Sequence, residues 1–161
     1  MSILDYTSYD EVRAALGVSD EELEDVTLAL PMYEDRLMAD LEDIGADLHA
    51  LYLATKLVVG PTAEQTRFLR SARLFATYAL AKVLTGTLPM FGLKSMEDGK
   101  ARGERFADPY RETVRTINSD YDKWRARLQQ AYSALGQPSS GVTSRPYLAV
   151  VSPGSDPITG V

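Results

Sequence analysis

The chain has 161 residues, 45% hydrophobic and 25% charged, without cysteine and with one histidine and a net charge of −6. That is the size and balance of one globular domain. It excludes disulfides, thiolate metal sites, cysteine nucleophiles and any metal site built on several histidines. The charge is uneven: residues 1–50 carry fourteen acids against Arg13 and Arg36, a local net of −12, and the other 111 residues carry +6. Such halves stay solvated, pair within one molecule, or pair between neighbouring copies, and salt weakens both kinds of pairing.

The opening "MSILDYTSYDEVR" has neither a basic start nor an apolar signal segment, and no run of about 20 apolar residues follows, so neither secretion nor membrane spanning is expected. Ser8 and Glu11 have capping-box spacing and Gly17 stands at a helix stop, which predicts a short helix over Ser8–Leu16. Ser19 and Glu22 repeat the spacing, with Asp20, Glu21 and Glu22 in a first turn, so a second helix is expected to about Leu30, where Pro31 forces a new start.

Leu30, Tyr33, Leu37, Leu41, Ile44 and Leu48 recur at spacings of 3, 4, 4, 3 and 4, one buried helical stripe. Gly45 is a candidate break. Leu48, Leu51, Tyr52 and Leu57 extend helix toward Gly60–Pro61, and the apolar run Leu48–Val59 reads as buried helix. Thr62 and Gln65 form a third capping pair, opening a helix through Phe68, Leu69, Ala72, Phe75, Ala76, Ala79, Leu80 and Val83 that ends at Gly86 and Pro89.

The loop Gly86–Lys94 leads to a segment where Pro109 starts a helix or bends one begun near Ser95. Tyr110, Val114, Ile117, Tyr121, Trp124, Leu128, Ala131 and Leu135 then follow at alternating spacings of 4 and 3, an unbroken heptad seam. Twenty-six helical residues span about 39 Å. A seam of that kind serves as the strut of a bundle or faces another subunit; the core role is expected, with a cost of about 3–5 kcal/mol for Trp124→Ala.

From Gly136 the composition changes to "GQPSSGVTSRPYLAVVSPGSDPITGV", with four of the eight prolines, through which no helix propagates. The run Pro146–Ser152, "PYLAVVS", is strand-like, but the rest of the chain offers no sheet to pair it, so its backbone groups need a partner elsewhere. The expected organisation is an all-α bundle of four to five helices over residues 1–136, with a long C-terminal helix, and an extended tail over 137–161.

No catalytic constellation assembles from these residues. His49 lies in an apolar context as a satisfied core or interface histidine, the residue three before it is Ala46 where a di-iron bundle needs Glu, and no glycine-rich loop carries the Lys and spacing of a phosphate cradle. Neither a cofactor nor a metal is expected. Lys94, Lys100, Arg102, Arg105, Arg111, Arg115, Lys123, Arg125 and Arg127 gather on or before the last helix, but interleaved acids and a pI near 4.8 argue against tight DNA binding and leave at most a channel lining.

Three segments, "EVRAALGVSDEELEDVTLALPMYEDRLMADLEDIG" at Glu11–Gly45, "DGKARGERFADPYRETVRTINSDYDKWRARLQ" at Asp98–Gln129 and "YLAVVSPGSDPITG" at Tyr147–Gly160, resemble the head–tail adaptor proteins of long-tailed double-stranded DNA bacteriophages. The resemblance implies a non-enzymatic helical bundle of the virion neck, made in the host cytoplasm. It implies a ring, twelve-membered in that family, beneath the portal protein, with DNA as passing cargo, a neck or tail-completion protein on the tail side and no membrane. Tyr147, Leu148, Ala149, Val150 and Val151 would then add a strand to the portal. The alternative is another helical phage assembly factor, such as a tail-completion protein or a small DNA-packaging subunit.

Overall fold

The computed structural model of the chain describes residues 2–87 and 109–136, of which 76% are helical and none is in a strand. The loop expected over Gly86–Lys94 from residue 88 on, the possible start near Ser95, and the tail with Pro146–Ser152 lie outside the described residues. A 3₁₀ turn at Ile3–Asp5 opens the chain, closed by a reciprocal cap between Ser2 and Asp5. Helix α1, Tyr9–Leu16, starts on the Ser8 hydroxyl, which accepts from the Glu11 amide at 3.3 Å. It stops at Gly17, whose φ of 73° is the left-handed turn in which a Cβ is unfavourable, and the Gly17 amide donates back to Arg13 and Ala14. The Glu11 carboxylate does not return to the cap; it accepts from Thr7 Oγ1 at 2.8 Å and pairs with Arg73.

The second helix differs from expectation. Ser19 and Glu22 do bond, and the Leu23 amide reaches Ser19, but the turn ends there, because Glu24 is extended and α2 covers only Asp25–Leu28. The reason is tertiary. In one continuous helix Leu23 and Leu28 would stand about 140° apart, at 100° per residue, whereas the break lets both be buried. Arg13 holds the break in place: its guanidinium, itself buried, donates to the Leu23 carbonyl at 3.1 Å, to Asp25 at 2.6 Å and to Asp10 at 2.7 Å.

Helix α3, Pro31–Glu42, begins with proline in its first turn, where the missing amide costs nothing. Of the expected stripe, Tyr33, Leu37, Leu41, Ile44 and Leu48 are buried, but Leu30 is 42% exposed because it is the cap residue, outside the helical register. The chain breaks around Gly45, and a Cβ there would lie 2.5–2.7 Å from the ring of Tyr132, so this glycine is required by close approach. Helix α4, Leu48–Lys56, buries Leu48 and Tyr52 and then stops early. Leu57, Val58 and Val59, read as the end of a buried helix, are instead exposed, with Val59 at 99%, since the helix ends before their side chains can reach the core.

Helix α5, Ala63–Leu84, carries the full Thr62–Gln65 capping box and runs through the middle of the bundle, packed against α1, α3 and α4 and most extensively against α6, Pro109–Ala134. Buried Ala72, Ala76, Ala79 and Ala81 admit the neighbouring helices closely, and Phe68 and Phe75 fill the space between. Phe75 meets Tyr121 at 5.5 Å between ring centres and Phe68 meets Tyr132 at 6.4 Å. Aliphatic and aromatic side chains buried to this extent contribute about 1.5–3 kcal/mol each. A short 3₁₀ turn, Thr85–Thr87, follows α5.

Candidate functional site

The single histidine is a structural tie. His49 is half-buried with Nδ1 3.0 Å from the Tyr6 hydroxyl, and Tyr6 stacks on Tyr52 at 4.1 Å. The Tyr52 hydroxyl and Lys56 Nζ both donate to the Asp5 carbonyl, at 3.2 and 2.8 Å. Burial, then Tyr52, then Asp5 push the Tyr6 phenol far above its ordinary range, so it keeps its proton and pins the N-terminal turn to α4. At the other end of the bundle Asp40 on α3 lies 3.5 Å from Arg36, and burial raises its carboxyl although Arg36 opposes the shift. Beside it Lys82 sits 3.7 Å over the Tyr121 ring.

The heptad seam divides into two classes. Ile117, Tyr121, Leu128 and Ala131 are buried, whereas Val114, Trp124 and Leu135 only pack against the edge of the core. The side chain of Tyr110 is outside the described residues. Trp124 is therefore not the fully buried strut residue expected from its spacing. It lines a cleft of about 600 Å³ between the N-terminal half of α5 and the middle of α6. The other walls are Pro61, Ala63, Thr66, Arg67, Arg70, Ser71, Arg127 and Gln130.

This cleft is the most distinctive chemical surface among the described residues. Three guanidinium groups line it and no carboxylate does. Arg127 lies 4.7 Å over the Trp124 ring, a cation–π pair that fixes the indole as one wall. None of Arg67, Arg70 and Arg127 takes part in an ion pair among the described residues, in contrast to Arg73, one turn further along α5, which is held by Glu11. Planar cations in this number suit an oxyanion ligand: a phosphate or a set of carboxylates.

From the sequence, Arg127 belonged to a basic strip along α6. The structure instead joins it to Arg67 and Arg70 from α5, which no linear pattern had grouped with it. The three-residue spacing of Arg67, Arg70 and Arg73 is a legible stripe, but Glu11 removes its last member and only the α5–α6 packing adds Arg127. Arg111 and Arg115 border a separate shallow depression together with Glu112 and Asp120, so positive charge there is mixed with negative. Lys94, Lys100, Arg102 and Arg105, and the tail residues Tyr147, Leu148, Ala149, Val150 and Val151, lie outside the described residues.

Among the described residues no three His, Asp or Glu side chains gather as metal ligands, and no helix is long and apolar enough to cross a membrane. The chain matches no family model, no curated protein and no solved structure.

Proposed function

We propose that this protein is a structural head–tail adaptor of a phage neck, assembling as a ring under the portal, extending the DNA channel and receiving the tail. The observation that carries the reading is a finished helical core surrounded by surface that a lone molecule has no use for. Val26 is 75% exposed, Leu57 83% and Val59 almost wholly, and the arginine cleft is uncompensated. Surfaces of this kind mark contacts with other molecules. The three segments that resemble phage adaptors add the identity of those molecules: neighbouring copies, the portal, and a tail-side neck protein. In this reading Tyr147–Val151 pairs with a portal sheet edge, since an isolated strand-like run in a helical protein needs backbone partners from outside.

Co-expression with the portal protein of the same phage tests the reading. The full chain should co-purify with portal. Deletion of Pro146–Val161 should leave the helical circular dichroism and the cooperative melt in place while abolishing the complex. Loss of folding on deletion would assign the tail to the core, and failure of the full chain to bind portal would remove the neck role.

A second reading, a small packaging subunit that binds DNA, is favoured by the same cleft, because three arginines and an indole suit phosphate and base. It requires retention of duplex DNA at moderate salt, with an affinity that falls steeply as salt rises.

A further inference from the structure

The cleft has a chemical complement on the same chain. The turn that interrupts the expected second helix carries Asp20, Glu21, Glu22, Glu24 and Asp25 in six residues. Two of these are committed locally, Glu22 to Ser19 and Asp25 to Arg13. Asp20, Glu21 and Glu24 are exposed, and none forms an ion pair among the described residues. The exposed apolar Val26 follows directly, as the exposed Leu57–Val59 run precedes the cleft wall at Pro61. The chain thus presents three carboxylates and three guanidinium groups that form no ion pair among the described residues, although Asp20 accepts from the Glu21 amide at 3.1 Å and Arg127 stacks on Trp124.

We infer that the Arg67–Arg70–Arg127–Trp124 cleft receives the Asp20–Glu24 turn of a second copy of this chain. The turn is a narrow loop that a concave site can enclose, whereas the acids of α3 lie along the side of a helix. The chain's own residues 137–161 are a poor match, since they hold one acid, Asp156, and one base, Arg145. Within the molecule the turn is already fastened to α1 through Arg13, which donates to the Leu23 carbonyl at 3.1 Å. Arginine forks meeting carboxylates supply directional bonds, and the exposed Val26, next to the turn in the chain, and the exposed Leu57–Val59 run, just before Pro61, are apolar area that such a contact can cover.

Turn and cleft are different surfaces, so each copy gives one and receives one. A contact of that type is heterologous: it closes into a ring when the rotation between copies allows and otherwise continues as a filament. The inference names the contact between the neighbouring copies of the neck reading and rests on that reading for the ring, while the purified chain alone suffices to test self-association. Portal binding is read in a separate experiment.

The test uses three full-length variants: Asp20→Lys/Glu21→Lys/Glu24→Lys in the turn, Arg67→Glu/Arg70→Glu/Arg127→Glu in the cleft, and all six together. Sedimentation velocity at low salt and about 100 µM chain detects contacts of micromolar Kd. All six positions are exposed, so melting curves should match the wild type and serve as the folding control. Wild type should form species larger than a dimer that dissociate as salt rises. Each three-residue variant should be monomeric, their equal mixture should reassociate into alternating species larger than a dimer, because each arginine cleft then meets an acidic turn and each glutamate cleft a lysine turn, and the six-residue exchange should restore association at least about tenfold over either parent. A monomeric wild type, or a normally folded six-residue variant that does not reassociate, overturns the proposal. So does a cleft variant that loses duplex DNA while the turn variant self-associates like wild type, which would assign the arginines to nucleic acid.

Discussion

The two sides of the α5–α6 pair were built from one periodic pattern and ended in opposite environments. On the closed side Leu128, Ala131 and Tyr132 are buried, and Tyr132 meets both Phe68 and the Gly45 bend. On the open side Trp124, one turn before Leu128 in the same seam, is only partly buried and stands against Arg127, with Arg67 and Arg70 lining the same cleft. A heptad marks which residues face the partner helix. It does not say whether a third element will come to cover the edge of the contact, and that decides between core and surface.

Substitutions on the two sides should differ in cost. Leu128→Ala should have the largest effect, a loss of about 2–5 kcal/mol, because the site is closed on every side and an emptied volume there cannot be refilled by water or collapse. Chemical denaturation with an unchanged m-value measures it. A loss below about 1 kcal/mol would mean that the closed side is looser than described. Gly45→Ala comes next, at about 1–3 kcal/mol, since the added methyl overlaps the Tyr132 ring and the ring or the bend must shift. The paired variant Gly45→Ala/Tyr132→Leu should recover part of that loss, and strict additivity in the double-mutant cycle would sink the proposed overlap. Trp124→Ala should be the mildest, at about 1–2 kcal/mol, short of the 3–5 kcal/mol of a fully buried indole, because Trp124 packs only at the edge of the core and keeps part of its surface in water. Its emission should be red-shifted and open to quenching by iodide, drawn in by the arginines; a blue-shifted, unquenched indole would return Trp124 to the core.

Much of the scaffold is legible in the sequence. Capping pairs at Ser8 and Thr62, the stop at Gly17, proline at the head of α3 and the 26-residue length of α6 all came from local signals that act within one turn of the chain. The failures share a cause. The helix expected from Ser19 to Leu30 obeyed every local rule and still broke, because Arg13, ten residues earlier, competes for the Leu23 carbonyl and two leucines on different faces both enter the core. Leu57–Val59 is apolar enough for burial, yet the chain leaves the bundle before it. Tyr132 lies beside the heptad seam and so escaped the core pattern, although it is among the largest fully buried side chains.

For the candidate site the division is sharper. The charge asymmetry and the single, apolar-flanked histidine were plain from composition, and the histidine indeed serves as a hydrogen-bonded tie. The cleft was not foreseen, since Arg67 and Arg127 are sixty residues apart and each resembles an ordinary solvated base in its own helix.

Local signals along the chain set its helical character, the places where several helices begin and end, and the split of charge between its halves. These follow from hydrogen bonds and side-chain periodicity over a few residues, which the chain carries wherever it goes. Helix packing sets which acids and bases meet, which seam residues are covered, and the gathering of three arginines from two helices in one cleft. Burial and electrostatic pairing depend on distance through space, and packing sets those distances.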